Sequence, residues 1–392
     1  MEYIFSDKIS SVTASEIREI LKATADPNLI SFAAGNPSAE AFPSEAIAKI
    51  TESILREDSI SALQYSTTEG YTPLRNLLKS HLADTNESFL DNDELIVVSG
   101  AQQGISLAAQ CFLNDGDTVL CEMPTFVGAI NAFKANSANV VGIDLQPDGM
   151  DIVSLEKAIA ENRNIKLLYI IPNFQNPTGN TTSLEKREKI YQICKKNNII
   201  IIEDNPYGEL RTTGKDIPTI KSIDTDRIVI YLGSFSKVLA PGLRVGFVSA
   251  NKEIIGKFVI AKQTSDVHTN ILAQQICFEF MRNYDYRLHI KNLKEIYKNK
   301  LYIMKSQMEA HLDSRIICNI PDGGLFLWCE LPSGTDALKY TEQAIKGGVA
   351  IVPGTAFMPD KSAPCNSFRL NYSYPSDAEI IKGIKILSEI KI

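Results

Sequence analysis

The run IIIIEDNPYGEL (199–210) decides how this chain of 392 residues folds. Four consecutive isoleucines without polar alternation describe a strand covered on both faces, because successive side chains point to opposite sides of a sheet. The run closes on Glu203 and Asp204 and breaks at Asn205–Pro206, residue types that turn the chain. Short β-branched runs recur on either side of it: LIVVS (95–99), TVLCE (118–122), NVVGIDL (139–145), KLLYIIP (166–172), RIVIYLG (227–233) and RVGFVS (244–249). Between them GISLAAQCF (104–112), SLEKAIAEN (154–162) and SLEKREKIYQICKKN (183–197) have helical spacing. This alternation predicts an α/β fold with a mostly parallel sheet wrapped by helices. In such sheets ligands collect at the carboxyl ends of the strands.

Beyond residue 250 the pattern changes. A mostly helical stretch runs from about Asn270 to His311, with apolar positions at Leu288, Leu293, Ile296, Leu301, Met304 and Met308. Shorter strand-like pieces follow: GGLFLWCEL (323–331), GVAIVPG (348–354) and SFRLNYS (367–373). The division expected is an N-terminal arm (1–30), a large domain (31–285) and a smaller α+β domain (286–392).

Composition narrows the function classes. A net charge of −7, with no long basic tract, argues against nucleic acid as a partner. No apolar run approaches the roughly 20 residues needed to span a bilayer. The N-terminal residues lack a basic segment followed by an apolar one, so no secretory signal is expected. The seven cysteines are scattered without CxxC spacing, which suits reduced, buried thiols in a cytoplasmic protein. The four histidines are dispersed and no HExxH occurs, so no metal site is expected. No GxGxxG follows the first strand, which argues against a nicotinamide-binding Rossmann enzyme.

Four segments stand at or just beyond strand ends. SGAQQG (99–104) is a glycine-flanked turn leading into a helix, where backbone N–H groups can meet an anion. PNFQNPTG (172–179) has the residues of an ordinary turn. In EDNPYGEL (203–210) Asp204 follows the isoleucines, and a carboxylate there needs a positive partner or a helix-capping role. Tyr207 could add a hydroxyl. In GSFSKVLAPGLRVGF (233–247) Lys237 stands among serines, with Arg244 seven positions on. A desolvated lysine becomes a nucleophilic amine suited to a carbonyl, and serines with an arginine suit a phosphate dianion. A lysine for an aldehyde, an aspartate for a ring N–H⁺ and a phosphate cradle together specify pyridoxal 5′-phosphate.

With those motifs in their observed order, the chain resembles fold-type-I pyridoxal-phosphate aminotransferases of the class I/II superfamily over nearly its full length. ASEIREILK (14–22) and ISFAAGNPSAEAFP (30–43) make it most similar to the 2-aminoadipate and kynurenine aminotransferase branch. The resemblance implies a large domain with a mostly parallel seven-stranded sheet, a smaller α+β domain, and a homodimer with shared active sites. It implies that Lys237 carries the cofactor and shuttles a proton, and that Asp204 holds the pyridinium nitrogen. Asn176 and Tyr207 would bind the phenolic oxygen, and Phe126 would stack on the ring where relatives usually have tyrosine. The backbone of Gly100, Ala101 and Gln102, with Ser234, Ser236 and Arg244, would hold the phosphate, joined by Tyr65 from the partner subunit. Arg369 would grip the substrate α-carboxylate. Gly35 lies at the substrate mouth, in AGNP where relatives often read GGLP. Ser15 and Arg18 match a mobile N-terminal helix, and an inward Arg18 would suit a distal carboxylate.

The activity so implied moves an amino group from an L-amino acid to a 2-oxo acid, with 2-oxoglutarate as the expected acceptor. Donors are 2-aminoadipate, aromatic or branched amino acids. The alternatives are a β-lyase, racemase or decarboxylase on the same fold, or the sensor domain of a transcription regulator. For the last, the family region begins within the first ~20 residues, which leaves no room for a helix-turn-helix module of ordinary size.

Overall fold

The computed structural model describes residues 3–10, 12, 29–86, 89–362 and 365–392. In chain order its strands are β1 (Ile30–Ser31), β2 (Asp93–Val98), β3 (Thr118–Met123), β4 (Asn139–Gln146), β5 (Gly149–Met150), β6 (Ile165–Ile170) and β7 (Ile200–Asp204). They continue as β8 (Val229–Ser234), β9 (Gly246–Asn251), β10 (Ile317–Asn319), β11 (Phe326–Glu330), β12 (Val349–Ala350), β13 (Val352–Pro353) and β14 (Ser367–Asn371). The large sheet has the order β2-β9-β8-β7-β6-β3-β4-β5. Its seven longer strands are those expected from the apolar runs. The eighth, β5, is a two-residue antiparallel addition to β4, too short to be read from periodicity.

The isoleucine run shows why the sheet needs two covers. Ile201 pairs with Val229 and joins Leu120, Leu168 and Ile170 in one apolar cluster, while Ile202 pairs with Ile230 and joins Val119, Leu167 and Tyr169 in another. Consecutive side chains therefore feed cores on opposite faces of the sheet. Burying a side chain of this size is worth ~1.5–3 kcal/mol.

Strands β3, β4, β6, β7 and β8 are mutually parallel, whereas β9 runs antiparallel to both β8 and β2. That reversal places the start of β9 beside the end of β8. Arg244, just before β9, so arrives at the sheet edge where the other strands deliver Ser99, Asp204 and Ser234.

The expected long helical stretch is two helices, Ile271–Asn283 and Tyr286–His311. The break falls at Tyr284–Asp285, where the Asp285 carboxylate accepts from Leu288 N–H at 2.9 Å and caps the second helix. The smaller sheet is antiparallel, in the order β10-β11-β14-β13. Strand β1 pairs in parallel with β12, and Phe32 O accepts from Asn371 N–H at 2.8 Å. The chain around residues 30–32, on either side of the expected 30/31 boundary, is thus hydrogen-bonded to the C-terminal region.

Candidate active site

The strand ends surround a cavity of about 280 Å³. Its lining includes Gly35, Ala101, Gln102, Phe126, Asn176, Asp204, Tyr207, Ser234, Ser236, Lys237, Arg244 and Arg369, all of them candidates from the sequence.

One wall is an anion cup. Gly100 stands at φ +77° between β2 and the helix Ala101–Phe112, and a Cβ there would lie 2.3 Å from Arg244 Nη2. Only glycine allows both the backbone angle and that approach. The Gly100 N–H donates to Val98 O at 2.8 Å, so the N–H groups left to an anion are those of Ala101 and Gln102, in the first turn of the helix. Gln102 Nε2 donates to Gly128 O at 2.9 Å, which ties the turn to the next helix. Ser236 N–H donates to Ser234 Oγ at 3.1 Å. Arg244, itself in the left-handed region at φ +54°, donates from Nη1 to Ser236 Oγ at 3.4 Å and from Nη2 to Ser99 O at 3.2 Å. Two serines, a guanidinium and a helix N-terminus converge there.

Beyond the cup lie the lysine and the aspartate. Lys237 Nζ donates to Gly35 O at 2.6 Å. Burial lowers its pKa to about 8, helped by the charges of Arg369 and Arg244 and opposed by Asp204. Asp204 Oδ2 accepts from the Tyr169 hydroxyl at 2.6 Å, while Oδ1 is buried with no partner. Burial raises the Asp204 pKa to about 6, against the Tyr169 hydrogen bond and the charge of Lys237. Tyr207 is held above the ordinary phenol range by burial and then by the Asp204 charge, with Arg369 and Asn176 opposing.

The opposite wall is built by Arg369, in the middle of β14. Its Nη1 donates to Asn176 Oδ1 at 2.7 Å and its Nη2 to Ala33 O at 2.6 Å, while Nε is buried and unpartnered. The guanidinium lies over the Phe326 ring at 4.3 Å and the Phe357 ring at 4.8 Å, an arrangement that favours a cation. Burial still lowers its pKa to about 10. Phe326 also meets Tyr207 edge-on at 5.8 Å.

Of the described sequence candidates, Tyr65 lies away from this cavity. Tyr65 is 82% exposed and meets His268 edge-on at 5.9 Å, outside the cavity lining. Ser15 and Arg18 fall outside the described residues. Conversely, Tyr169, Phe326 and Phe357 were not singled out from the sequence. A tyrosine inside the aliphatic run KLLYIIP was a usable signal for Tyr169. Phe326 and Phe357 sit in ordinary apolar stretches, and no local pattern separates them from core.

The donor set fits pyridoxal 5′-phosphate. The orphaned, buried Asp204 Oδ1 lacks the N–H that a pyridinium ring would bring, and burying such a carboxylate unpaired is costly. The cup that a Cβ at Gly100 would fill suits a phosphate, and the Lys237 amine suits an aldehyde carbon. Arg369 has its Nε unpartnered and so able to meet a carboxylate.

Comparison with known proteins gives the same answer. The family model for aminotransferase class I and II matches residues 27–387. The chain is 38% identical to the aromatic-amino-acid aminotransferase 1 of Thermococcus litoralis, over 99% of this chain and 94% of that protein. It is 35% identical to the 2-aminoadipate transaminase of Thermus thermophilus, over 98% and 95%. Among solved structures, the kynurenine aminotransferase of Pyrococcus horikoshii superposes with a TM-score of 0.94 at 37% identity, covering 98% of this chain and 96% of that one. The chain belongs to the class I and II aminotransferases, as a pyridoxal-phosphate-dependent transaminase of fold type I in the 2-aminoadipate and kynurenine aminotransferase branch.

Proposed function

We propose that this transaminase takes its amino group from an L-amino acid with an apolar or aromatic side chain and passes it to a 2-oxo acid such as 2-oxoglutarate. The observation that carries the site assignment is that Lys237 and the unpartnered Asp204 Oδ1 belong to the lining residues of one cavity. When bound, the cofactor supplies an aldehyde that captures amines and a ring that stores the electrons released at the substrate Cα. Asp204 would hold the ring N–H⁺ through Oδ1 while Tyr169 occupies Oδ2. Lys237, its pKa lowered to about 8, is neutral often enough near neutral pH to be the amine that would hold the cofactor aldehyde, and it would carry a proton to and from the substrate Cα. Ser234, Ser236, Arg244 and the N–H groups of Ala101 and Gln102 would hold the phosphate, with Gly100 permitting the approach. Phe126 would cover a ring face, and Asn176 with Tyr207 would hold the phenolic oxygen. Arg369 clamps the α-carboxylate and so orients the Cα–H bond.

Substrate choice follows from the remaining walls. Ile105, Val127, Ile171 and Phe326 line the cavity beside Gly35, which favours aromatic or branched donors. Among the described residues the cationic side chains lining it are Lys237, Arg244 and Arg369, each already given a task. A distal carboxylate, as in 2-aminoadipate or 2-oxoglutarate, would then rely on Arg18 with Ser15 beside it.

The same reading makes the enzyme a homodimer. Ile60, Leu63 and Tyr65, close together in the chain, are exposed at 77%, 71% and 82%, and exposed apolar patches mark interfaces. Tyr65 would then reach the partner's phosphate. Residues 286–392, with the strand pair β1–β12, act as the smaller domain that carries Arg369. A cytoplasmic location accords with this metabolic role; no helix among the described residues is long and apolar enough to cross a membrane.

The test is a panel of amino donors with 2-oxoglutarate on the wild type and Arg18→Ala. Aromatic and branched donors should convert the enzyme to its amine form, with Arg18→Ala losing only dicarboxylic substrates. Pyruvate and ammonia accumulating from a single amino acid would instead mark a lyase and overturn the reading.

A further inference from the structure

The anion cup is braced from behind by a buried charge cluster that does not line the cavity. Lys262, near the end of the helix Lys252–Gln263, is wholly buried. Its Nζ donates to Gln103 Oε1 at 2.7 Å, to both Asp266 carboxylate oxygens at 2.7 and 2.9 Å, and to Thr269 Oγ1 at 3.0 Å. Three ammonium protons are thus shared among four acceptors. Each acceptor except one Asp266 oxygen leads on to Ser99, the residue immediately before Gly100. Ser99 N–H donates to Gln103 Oε1 at 2.8 Å, and Ser99 Oγ donates to Asp266 Oδ2 at 2.8 Å and lies 3.2 Å from Thr269 Oγ1. The Ser99 carbonyl, on the cavity side, accepts from Arg244 Nη2.

Stability alone does not call for this arrangement. Burying an ion pair is costly, and an apolar cluster of the same volume is often as stable. What a lysine provides that an apolar side chain does not is direction, since four bonds to fixed acceptors specify where Ser99 sits. Ser99 in turn sets the positive-φ turn at Gly100, the first helical N–H groups of Ala101 and Gln102, and the carbonyl that holds Arg244. A small shift at Ser99 displaces the Ala101 and Gln102 N–H groups and Arg244 together.

We infer that Lys262 is a positioning residue for the cofactor phosphate, acting through Gln103, Asp266 and Thr269 on Ser99 and through Ser99 on both the helix start and Arg244. The inference rests on the reading of the cup as the phosphate site. It predicts a loss of affinity confined to the phosphorylated cofactor, which a merely structural role does not produce.

The experiment titrates the full-length, cofactor-stripped protein with pyridoxal 5′-phosphate and with pyridoxal, which lacks the phosphate, following absorbance. Lys262→Met should weaken pyridoxal 5′-phosphate about tenfold or more, the scale of one hydrogen bond to a charged group, and leave pyridoxal within about twofold. Ser99→Ala, which removes only the hydroxyl contacts, should produce a smaller loss with the same selectivity. Equal weakening of both ligands, or an unchanged ratio between them, overturns the inference. If Lys262→Met does not fold, the ratio in Ser99→Ala decides alone. A wild type that binds pyridoxal as tightly as pyridoxal 5′-phosphate would remove the phosphate reading of the cup itself, a result distinguishable from retained preference in the variants.

Discussion

Arg369 Nη1 and Asn176 Oδ1, 193 residues apart in sequence, are joined by a buried hydrogen bond of 2.7 Å. One lies in the smaller sheet and the other on the loop after β6, so the bond ties the proposed carboxylate clamp to the amide proposed to face the cofactor. Asn176→Ala leaves a buried guanidinium donor unpaired and should loosen both ligands. A simple carboxylate inhibitor should bind the variant about tenfold more weakly, on the scale of one charged hydrogen bond. Unchanged inhibitor affinity would show that Asn176 serves the cofactor alone.

Lys237→Ala should abolish turnover and the visible absorbance of the lysine-linked cofactor. Pyridoxal 5′-phosphate should still bind without a covalent bond, because the cup and Asp204 remain. Measurable transamination by Lys237→Ala would remove the proton-carrier role.

The depressed lysine pKa has a signed consequence. With a pKa of about 8, about a tenth of the Lys237 amine is neutral at pH 7, against well under a thousandth at the ordinary lysine value. The rate at which the cofactor-free enzyme captures pyridoxal 5′-phosphate should therefore rise with pH and level off above about 8. A rate still climbing tenfold per unit at pH 9.5 would contradict it.

Asp204 runs the other way. Burial, the largest cause, pushes its carboxyl up from the ordinary 3.8 to about 6 in the cofactor-free protein. The protonated form is the one the empty fold favours, so this contribution to stability is complete below about pH 4. It is lost as pH rises through about 6, to an extent on the order of 3 kcal/mol. Thermal melts of the cofactor-free protein should fall over that window, and Asp204→Asn should flatten the fall. Added pyridoxal 5′-phosphate should reverse it, since the pyridinium N–H⁺ pairs with the ionised form.

Arg369→Lys keeps the charge and loses the planar fork that meets Asn176, Ala33 and the two aromatic faces at once. KM for every amino donor should rise about tenfold to a hundredfold, on the scale of one to two charged hydrogen bonds, whatever the donor side chain. A loss restricted to one class of donor would place Arg369 at the side chain instead of the α-carboxylate.

Much of this architecture is legible along the chain. Strands covered on both faces leave uninterrupted apolar runs, and a charge that ends or follows such a run stands out, as Asp204 and Lys237 do. Glycine at 100 and the Ser-Ser-Lys-Arg spacing of 234–244 are local too, because a turn and a phosphate cup are built from neighbours. What only the tertiary structure decides lies in contacts between distant segments. The Tyr169 hydroxyl on Asp204 depends on the register of β6 against β7, and the aromatic bed of Arg369 on strands and loops that meet only in space. The two-residue pairing of β1 with β12 brings Ala33 and Gly35 to the site, yet strands so short have no periodicity. Lys262 reads in sequence as a helical surface lysine four residues from an aspartate; that it is buried behind Ser99 follows from the packing of its helix on β2. A linear pattern records which face of an element is apolar, whereas the partner that face meets is set by long-range packing.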